Sequence, residues 1–500
     1  MTRARICATA LASALLIGSA LSPASAAHAT TGEPAATTAA AQVTTVPTMA
    51  GRLAAVRAAK SINYYPSDAG WSAMWTNFDA TRIDADLARA AELGADNVRV
   101  IVFPQAFGYP KPTATYAERL RKFVSIAAAH DLTVKLTLFD WWDGYYDATG
   151  SIGWATAVLA PYVDDPRVIS VELKNEFQPG NAAAVAWVRQ VIPAVRAAAP
   201  TMPLTLSVDG GTGAAGMAQI KSELATTPLD YYDFHFYGNS ERSLAEIRKA
   251  QAAVAPVPIV IGETGLSSAT ASEGEQGAYL ARVFRAAKEA GVGSVSPWTL
   301  NDFSDKAIPS NSTVSTIPAQ YRFGLYRADG SAKVAADVVR AAWTTGTLPN
   351  SFLNLGFEAP AADSPWRQNL PQAGTGVVST DMPRNGSHSV RFAGTTRTTS
   401  GLPSLVTAPI TPVQPGYRWR AEAYARGIDA TGTTEIALSW FDADGKWLSQ
   451  NTSNRLPAGD TGWTKLVIET VAPAGAAGVQ LHLKSGDNTG TVWFDDIGIS

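Results

Sequence analysis

The sequence predicts an α/β fold, a (β/α)8 TIM barrel, followed by an all-β sandwich of the jelly-roll type. Between residues 61 and 300, eight short strand-like segments alternate with stretches of helical periodicity, which is the count for this barrel. Beyond residue 351 the pattern changes to brief alternating segments separated by turn signals such as "ADG" and "AGD". We therefore expect two domains, for which a chain of 500 residues has room.

The N-terminal residues predict where the protein works. An apolar run over residues 6–21 follows two arginines and precedes small residues that fit signal-peptidase cleavage near Ala26 or Ala29. The run is shorter than the about 20 apolar residues of a membrane span. Residues 1–29 are therefore predicted to be a signal peptide, with a retained anchor as the alternative, and the protein is expected to be secreted, extracellular and free of the membrane after signal removal. Residues 30–55, rich in Ala, Thr and Pro, are predicted to be a linker.

Composition and charge argue against a nucleic-acid partner and against thiol chemistry. The formal net charge is −3 and the basic residues are scattered, whereas a nucleic-acid partner calls for a basic face. The only cysteine, Cys7, lies in the predicted signal, so the mature chain has neither disulfides nor thiol chemistry. The 14 Trp and 15 Tyr residues suit sugar rings, although aromatic residues also fill cores. We expect a monomer.

The barrel is predicted over residues 56–343, followed by a linker over 344–351 and the sandwich over 352–500. Between the strands, residues 81–94 and 115–130 repeat apolar side chains at the spacing of one helix face. The eight strands are predicted at residues 61–65, 96–102, 133–139, 168–176, 204–209, 231–237, 258–263 and 293–300.

Polar side chains fall on one face of these strands. Side chains of a strand alternate with period 2, and Arg99, Glu172 and His235 share the parity that points into the barrel. Active sites of this fold lie at the C-terminal ends of the strands, where Glu176 closes strand four and Glu263 closes strand seven. Paired carboxylates across a cleft are the usual apparatus of glycoside hydrolysis, one as acid/base and one as nucleophile.

The motifs at these strand ends resemble glycoside hydrolase clan A, especially family 5, the cellulase family. The resemblance covers roughly residues 55 to 343 and is carried by "NE" closing strand four, "HFY" in strand six, "GETG" closing strand seven and a Trp in strand eight. It implies that Glu176 is the acid/base and that Glu263 is the nucleophile. It also implies that Asn175 binds the 2-hydroxyl of the sugar and that Trp298 lies under the sugar ring. By the same resemblance, Tyr237 and Arg99 contact the nucleophile, and His235 supports the proton shuttle.

The sequence departs from the family 5 pattern at two places. Phe177 stands where the family usually has Pro after the acid/base, and "LFDWWDGYY" stands where a His often follows strand three. Asp140, Trp141 and Trp142 are expected to line the sugar cleft instead, and the alternative for the two tryptophans is that they pack the loop. These departures weaken the transfer of a substrate from any well-known subgroup.

The remaining polar residues of the barrel have plainer interpretations. Glu172 and Lys174 lie deeper than Glu176 and are predicted to form a structural ion pair or hydrogen-bond network. A metallohydrolase is disfavoured because four of the 5 histidines remain after signal removal and only His235 lies on a barrel strand. No cofactor is expected for catalysis.

The C-terminal domain resembles the β-sandwich carbohydrate-binding modules that accompany such enzymes. "NLGFE" near its start and "WFDDIGIS" at its end match their paired termini, where a Glu and an Asp hold a structural calcium ion in related modules. Glu358 and Asp496 are the candidate ligands here. The possible sugar platforms are Trp419, Trp440, Trp447 and Trp463, and the alternative is a purely structural accessory domain.

These expectations combine into a secreted, retaining β-glycoside hydrolase that uses two glutamates in a double displacement. The resemblance implies an endo-acting β-glycanase on a plant or microbial polysaccharide, with β-glucan (cellulose) or β-mannan as the leading substrates. Retention predicts carboxyl groups about 5–5.5 Å apart. The alternatives are a non-catalytic glycan-binding protein on a barrel scaffold and a transglycosylase.

Overall fold

The computed structural model describes residues 46–346, 354–358, 364–369, 376–394, 402–407 and 411–499. The predicted signal peptide and most of both predicted linkers lie outside the described residues. Within them, no helix is both long and apolar enough to cross a membrane.

Parallel strands form the barrel that the sequence predicts. They are β1 (Ser61–Asn63), β2 (Asn97–Ile101), β3 (Thr133–Phe139), β4 (Val168–Lys174), β5 (Leu204–Thr205), β6 (Ser207–Val208), β7 (Tyr232–Phe236), β8 (Ile259–Thr264) and β9 (Val295–Pro297). They pair in the orders β1-β2-β3-β4-β5 and β6-β7-β8-β9, and β5 and β6 are the two halves of one predicted strand. The Leu300 N–H closes the ring by donating to the Asn63 carbonyl at 3.0 Å. Each of the eight predicted strand segments therefore contains an observed strand.

Helices surround the strands. They are α1 (Met49–Ala58), α2 (Ala73–Thr76), α3 (Ala80–Glu92), α4 (Pro104–Phe107), α5 (Ala114–Ala129), α6 (Ala148–Leu159), α7 (Ala182–Ala198), α8 (Gly213–Glu223), α9 (Ser243–Val254), α10 (Glu273–Ala290) and α11 (Val334–Thr344). The Asp79 side chain caps α3 by accepting from two backbone N–H groups, and the helix buries Ile83, Leu87 and Ala90 as its periodicity predicts.

Helix α1 corrects the predicted extent of the first linker, because it begins at Met49 rather than after residue 55. Its Arg52 side chain is buried and donates to the Val163 and Asp165 carbonyls, each at 2.9 Å, and to the Thr201 hydroxyl at 2.7 Å. These partners precede β4 and β5, so α1 covers the N-terminal end of the barrel. The Ala-rich sequence of α1 has little apolar periodicity, and tertiary contacts of this kind are invisible to local pattern.

The C-terminal domain is an antiparallel sandwich. Its strands are β10 (Trp366–Asn369), β11 (Val377–Ser379), β12 (Ser389–Ala393), β13 (Ser404–Thr407), β14 (Thr411–Pro412), β15 (Arg418–Ile428), β16 (Thr433–Phe441), β17 (Trp447–Thr452), β18 (Thr464–Val471), β19 (Gly478–Gly486) and β20 (Thr491–Ile499). One sheet has the order β10-β13-β19-β16-β17, with β14 beside β19, and the other has the order β11-β12-β20-β15-β18. Alternate residues of β15 are buried between the sheets, as expected for a sandwich strand.

The sandwich packs against the barrel at α10, the helix that follows β8. The Arg285 guanidinium on α10 lies 5.1 Å from the centre of the Trp419 ring, close enough for a cation–π interaction. The Gln414 amide donates to the Glu289 carbonyl near the end of the same helix at 3.4 Å. The β16–β17 hairpin adds a contact between the Arg242 side chain and the Asp444 carbonyl.

Candidate active site

A buried arginine organises the floor of the barrel. Arg99 on β2 donates to both oxygens of Glu172, at 2.7 and 3.1 Å, and to Glu263 Oε1 at 2.6 Å. It also donates to the side-chain oxygens of Asn63 and Asn175, each at 2.7 Å. Parallel pairing places Asn63 directly beside Arg99, and the inward parity of both strands points their side chains together. The guanidinium thus orients one predicted catalytic glutamate and the asparagine beside the other.

Glu172 lies in a buried ion-pair and hydrogen-bond network, as the sequence predicts, but Lys174 is not its partner. Glu172 pairs with Arg99 and lies 3.4 Å from Lys135 Nζ, while the Lys174 ammonium donates to the Asn175 carbonyl at 2.9 Å. Residues two apart on one strand are separated by about 6.6 Å along it, whereas neighbouring strands bring side chains of one level together. Burial raises the pKa of Glu172, but Arg99 and Lys135 outweigh burial and hold the pKa far below its usual range. Lys135 also pairs with the buried Asp233.

The two predicted catalytic glutamates face one another across His235. The His235 Nδ1 atom lies 3.3 Å from Glu176 Oε1 and 3.4 Å from Glu263 Oε2. A carboxylate oxygen of Glu176 and one of Glu263 lie within 4.8 Å of each other. The Tyr237 hydroxyl donates to Glu263 Oε2 at 2.9 Å. The Glu263 side chain is 6% exposed and the Glu176 side chain 42% exposed, so one is sealed in the floor and the other reaches the opening.

The backbone at the end of β4 turns two successive side chains into the site. The Asn175 N–H still continues the ladder by donating to the Phe139 carbonyl at 2.8 Å. Glu176 then adopts a left-handed φ of 47°, and its N–H donates to the Ser207 hydroxyl at 2.6 Å. A non-glycine residue in this region is uncommon and typical of functional sites. In a regular strand Asn175 and Glu176 would point to opposite faces, so this turn is what brings both into the site.

The pKa values of the two glutamates shift in opposite directions. Burial raises the pKa of Glu176, but the hydrogen bond and charge of His235 outweigh it and hold the pKa of this carboxyl below its usual value. Burial raises the pKa of Glu263, and the charges of His235 and Arg99 lower it by less, so the pKa of this carboxyl lies above its usual value. Burial lowers the pKa of His235, but Glu263 and Glu176 outweigh it and raise that pKa above its usual value. Arg99 and Tyr237 therefore favour the charged form of Glu263, the predicted nucleophile, without overcoming its burial.

The glutamates lie in a cavity of about 330 Å³. Trp298 forms part of its wall and is 8% exposed, whereas Trp141 is 39% exposed at its rim. Asp140 also lines the cavity, and its Oδ1 accepts from the Asn175 amide and from the Trp141 N–H, each at 3.0 Å. Burial raises the pKa of Asp140 to about 6, against the lowering effect of Lys174. The cavity is lined by Trp71, Ile101, Asp140, Trp141, Asn175, Glu176, Tyr237, Glu263, Trp298, Val314, Gln320 and Phe323.

Trp142 does not line this cavity, contrary to the prediction. Its ring is buried, with its centre 4.6 Å from that of Tyr109 and 5.3 Å from that of Phe139. The preceding Trp141 has a left-handed φ of 53°, which turns the two neighbouring rings in different directions. The loop-packing alternative therefore describes Trp142, and the cleft-lining prediction describes Trp141.

Several residues of the site were not predicted. Asn63 lies on the inward parity of β1, so the same period-2 argument that selects Arg99 could have found it. Ser207, which accepts from the Glu176 N–H, also follows from strand parity, although a serine is a weak signal. Trp71, Gln320 and Phe323 come from loops, where no periodicity gives the direction of a side chain.

The predicted calcium ligands of the sandwich both contact the turn before β12. Glu358 Oε1 accepts from the Ser387 and His388 N–H groups at 2.9 and 3.1 Å, and its Oε2 lies 3.0 Å from His388 Nδ1. Asp496 Oδ2 accepts from the Arg384 guanidinium. This arrangement does not fit a calcium ion, which prefers oxygen ligands and would be repelled by Arg384. The predicted calcium site therefore finds no support in these side-chain contacts.

The tryptophans of the sandwich divide by exposure. Trp419 and Trp440 are buried, with ring centres 6.3 Å apart, and belong to the core. Trp463 is half-buried. Trp447 is 56% exposed at the start of β17 and is the one of the four whose ring is open to a ligand.

Comparison with known proteins agrees with the family that the sequence resembles. Residues 60–304 match the model of the family Cellulase (glycosyl hydrolase family 5). No curated protein matches the sequence.

Solved structures with a similar fold include an exo-β-1,4-mannosidase from Opitutaceae bacterium strain TAV5, with 20% identity over 57% of this chain and 59% of that chain and a TM-score of 0.48. A GH5_18 protein from Streptomyces cattleya in complex with GlcNAc has 18% identity over 58% of this chain and 82% of that chain, with a TM-score of 0.48. A GH5_18 protein from Bifidobacterium longum subsp. infantis has 15% identity over 58% of this chain and 78% of that chain, with a TM-score of 0.48. The chain thus matches less than two thirds of the length of the first of these.

Proposed function

We propose that the chain, whose residues 60–304 match the model of glycosyl hydrolase family 5, is a retaining β-glycosidase with Glu176 as acid/base and Glu263 as nucleophile. The observation that carries the proposal is the spacing of the two carboxylates, which have oxygens within 4.8 Å of each other. Retaining enzymes have carboxyl groups about 5–5.5 Å apart, whereas inverting enzymes leave about 6.5–9.5 Å for a water molecule.

The first step forms a glycosyl–enzyme. An oxygen of Glu263 attacks the anomeric carbon while Glu176 gives its proton to the oxygen of the departing sugar, so one C–O bond forms as the other breaks. Arg99 and the Tyr237 hydroxyl hold the carboxylate of Glu263 in place for the attack. In the second step Glu176 takes a proton from a water molecule, whose oxygen bonds to the anomeric carbon as the bond from that carbon to Glu263 breaks. The sugar leaves with its original configuration, and Glu263 is again a carboxylate.

Substrate binding supplies the protonation pattern that the first step requires. In the open site His235 holds Glu176 in its charged form, yet Glu176 must carry a proton when the bond breaks. The Glu176 side chain is 42% exposed, so a sugar that covers it removes water and raises its pKa, whereas the already buried Glu263 has little water to lose. Esterification of Glu263 then removes a neighbouring negative charge and lowers the pKa of Glu176, which suits its role as base in the second step.

The cavity supports a β-linked neutral sugar as substrate, with β-glucan and β-mannan as the leading classes. The flat faces of Trp298 and Trp141 suit sugar rings, and the Asp140 and Asn175 side chains offer hydrogen bonds to hydroxyl groups. Secretion through the N-terminal signal is part of the proposal. Sequencing the N-terminus of protein collected from the culture medium checks it, and a chain that still begins at Met1 would contradict signal removal.

The roles of the two glutamates can be separated by leaving-group chemistry. Glu176→Ala should lose most activity on natural glycosides but keep glycosyl–enzyme formation from aryl glycosides whose leaving group needs no proton. Glu263→Ala should be inactive on both, because its nucleophile is missing. Glu118→Ala, on the exposed face of α5, is the matched control and should behave as wild type.

NMR spectroscopy of the first product released by the wild type adds a second test. The β-anomer should appear first, and an α-anomer as first product would refute retention. Full activity of either glutamate variant would refute the assignment. Binding of glycans with no bond cleavage across a broad panel would instead support a non-catalytic glycan-binding protein, and longer products at high oligosaccharide concentration would support transglycosylation.

A further inference from the structure

The connection between β9 and α11, residues 298–333, is long for a barrel loop, since loops after barrel strands usually have about 2–6 residues. We call it the β9–α11 loop. It contains two short 3₁₀ helices, Thr313–Thr316 and Pro318–Tyr321. Val314 and Gln320 from these helices line the cavity of the catalytic glutamates, and Phe323 follows them. This loop therefore forms part of the wall of the active site.

On its β8 side the wall is held by hydrogen bonds to the loop that follows the nucleophile strand. The Ser267 hydroxyl donates to the Ala319 carbonyl at 2.7 Å, and the Ser268 N–H donates to the Arg322 carbonyl at 2.9 Å. The Phe323 ring lies 6.0 Å from the Tyr237 ring in an edge-on arrangement. The wall thus stands beside Glu263.

On its β1 side the β9–α11 loop is held by the segment after β1. The Ser304 N–H donates to the Ser67 carbonyl at 2.8 Å, and the Gly70 N–H donates to the Ala307 carbonyl at 2.9 Å. Hydrogen bonds to the segments that follow β8 and β1 therefore hold the loop in place on both sides, as a fixed wall of the cavity.

The cavity is closed on the side of the nucleophile and open on the side of the acid/base. Glu263, beside the wall, is 6% exposed, and Trp298, the first residue of the loop, is 8% exposed. Glu176 and Trp141, away from the wall, are 42% and 39% exposed. The sugar that becomes bonded to the enzyme must lie over Glu263, and the departing part of the substrate must lie beside Glu176. The closed side is therefore the side of the glycone.

We infer that the enzyme acts on chain ends: the β9–α11 loop leaves room for a terminal sugar at the non-reducing end of a β-linked oligosaccharide and blocks longer chains on that side. The inference rests on the proposed function and replaces the endo action that the family resemblance implies. A volume of about 330 Å³ is near the lower limit of the roughly 300–1,000 Å³ of ligand pockets, which suits a chain end.

The test uses reducing-end-labelled β-glucan and β-mannan oligosaccharides of increasing length, each with a free or a chemically capped non-reducing end. We expect the labelled product to be one sugar shorter at the earliest time points, and capped substrates to be cleaved at least tenfold more slowly. Early appearance of mid-length products, or equal cleavage of capped and free substrates, would overturn the inference.

Variants of the β9–α11 loop test whether this loop is what limits cleavage to chain ends. Val314→Ala combined with Gln320→Ala should raise the ratio of capped to free substrate cleavage by about tenfold. Ile317→Ala is the matched control, because Ile317 lies between the two 3₁₀ helices, is 43% exposed and does not line the cavity. An unchanged ratio in the double variant would remove the wall as the cause and overturn the assignment.

Failure of the proposed function gives a different result. A β-glycosyl fluoride that forms slowly hydrolysed esters should add one glycosyl mass to Glu263, whichever end of a chain the enzyme attacks. Absence of that adduct, together with no cleavage of any substrate, would refute the glycosidase proposal. An adduct with internal cleavage would refute the chain-end inference alone.

Discussion

The Tyr237→Phe variant tests the electrostatics of the nucleophile with the smallest change to the site. Its hydroxyl donates to Glu263 Oε2 at 2.9 Å, which favours the charged carboxylate. A hydrogen bond to a charged group is worth about 1.5–3 kcal/mol, and one pKa unit corresponds to about 1.4 kcal/mol. Removing the donor should therefore raise the pKa of Glu263 by about 1–2 units from a value that burial has already raised.

The sign of the effect on activity follows from the proposed role of Glu263 as nucleophile. The nucleophile must be ionised, so activity is lost as the pH falls through its pKa, and a higher pKa moves that loss to higher pH. The acidic limb of kcat/KM, which reports the free enzyme, should shift upward by about 1–2 pH units, with much less change on the alkaline side.

The assay is kcat/KM on an aryl β-glycoside from pH 3 to pH 9. Tyr279→Phe is the matched control, because this buried hydroxyl donates to the Phe236 carbonyl at 3.0 Å and contacts neither glutamate. A uniform loss at all pH values with an unmoved acidic limb would refute the reasoning, as would an equal shift in the control.

Three further outcomes concern stability. Lys135→Met should lower the free energy of unfolding by about 3–5 kcal/mol in denaturant titration, because it leaves the buried carboxylates that Lys135 pairs with short of a cation. Asp140→Asn should raise the urea midpoint of unfolding at pH 7.5 but hardly change it at pH 4. The pKa of Asp140 is about 6 in the folded state and about 3.9 in the unfolded state, so ionisation above pH 6 costs the wild type up to about 3 kcal/mol of stability. Equal effects at both pH values would contradict this reasoning. Trp419→Ala should lower stability by about 3–5 kcal/mol, whereas Trp447→Ala, on an exposed ring, should change it by less than about 1 kcal/mol.

Strand periodicity was sufficient to predict the floor of the site. Arg99, His235, Tyr237 and Glu263 lie on or at the ends of parallel strands, where period 2 determines which side chains face the interior and the fold determines which ends meet. The structure brings all four together by hydrogen bonds or close contacts. These positions were predictable because a single geometric rule applies along each strand.

Other features depend on contacts that no local rule contains. Helix α1 is held by Arg52 through carbonyl groups more than one hundred residues away, so its Ala-rich sequence alone indicated a linker. Glu172 pairs across strands rather than along its own strand. Asn175 and Glu176 face the same cavity because the backbone of Glu176 is left-handed, which breaks the alternation that strand periodicity assumes.

The same distinction separates the chemistry of this enzyme from its choice of substrate. The proposed nucleophile and its donors lie on strands or at their ends, whereas Val314, Gln320, Trp71 and Trp141 belong to loops whose side-chain directions follow no period. Loops of a barrel can change in length without moving the strand ends, since each strand is held by its neighbours. A shorter β9–α11 loop should therefore open the glycone side to longer chains while the distance between Glu176 and Glu263 stays the same. Retention of configuration in such a variant, with a changed product pattern, is the result that this division of roles requires.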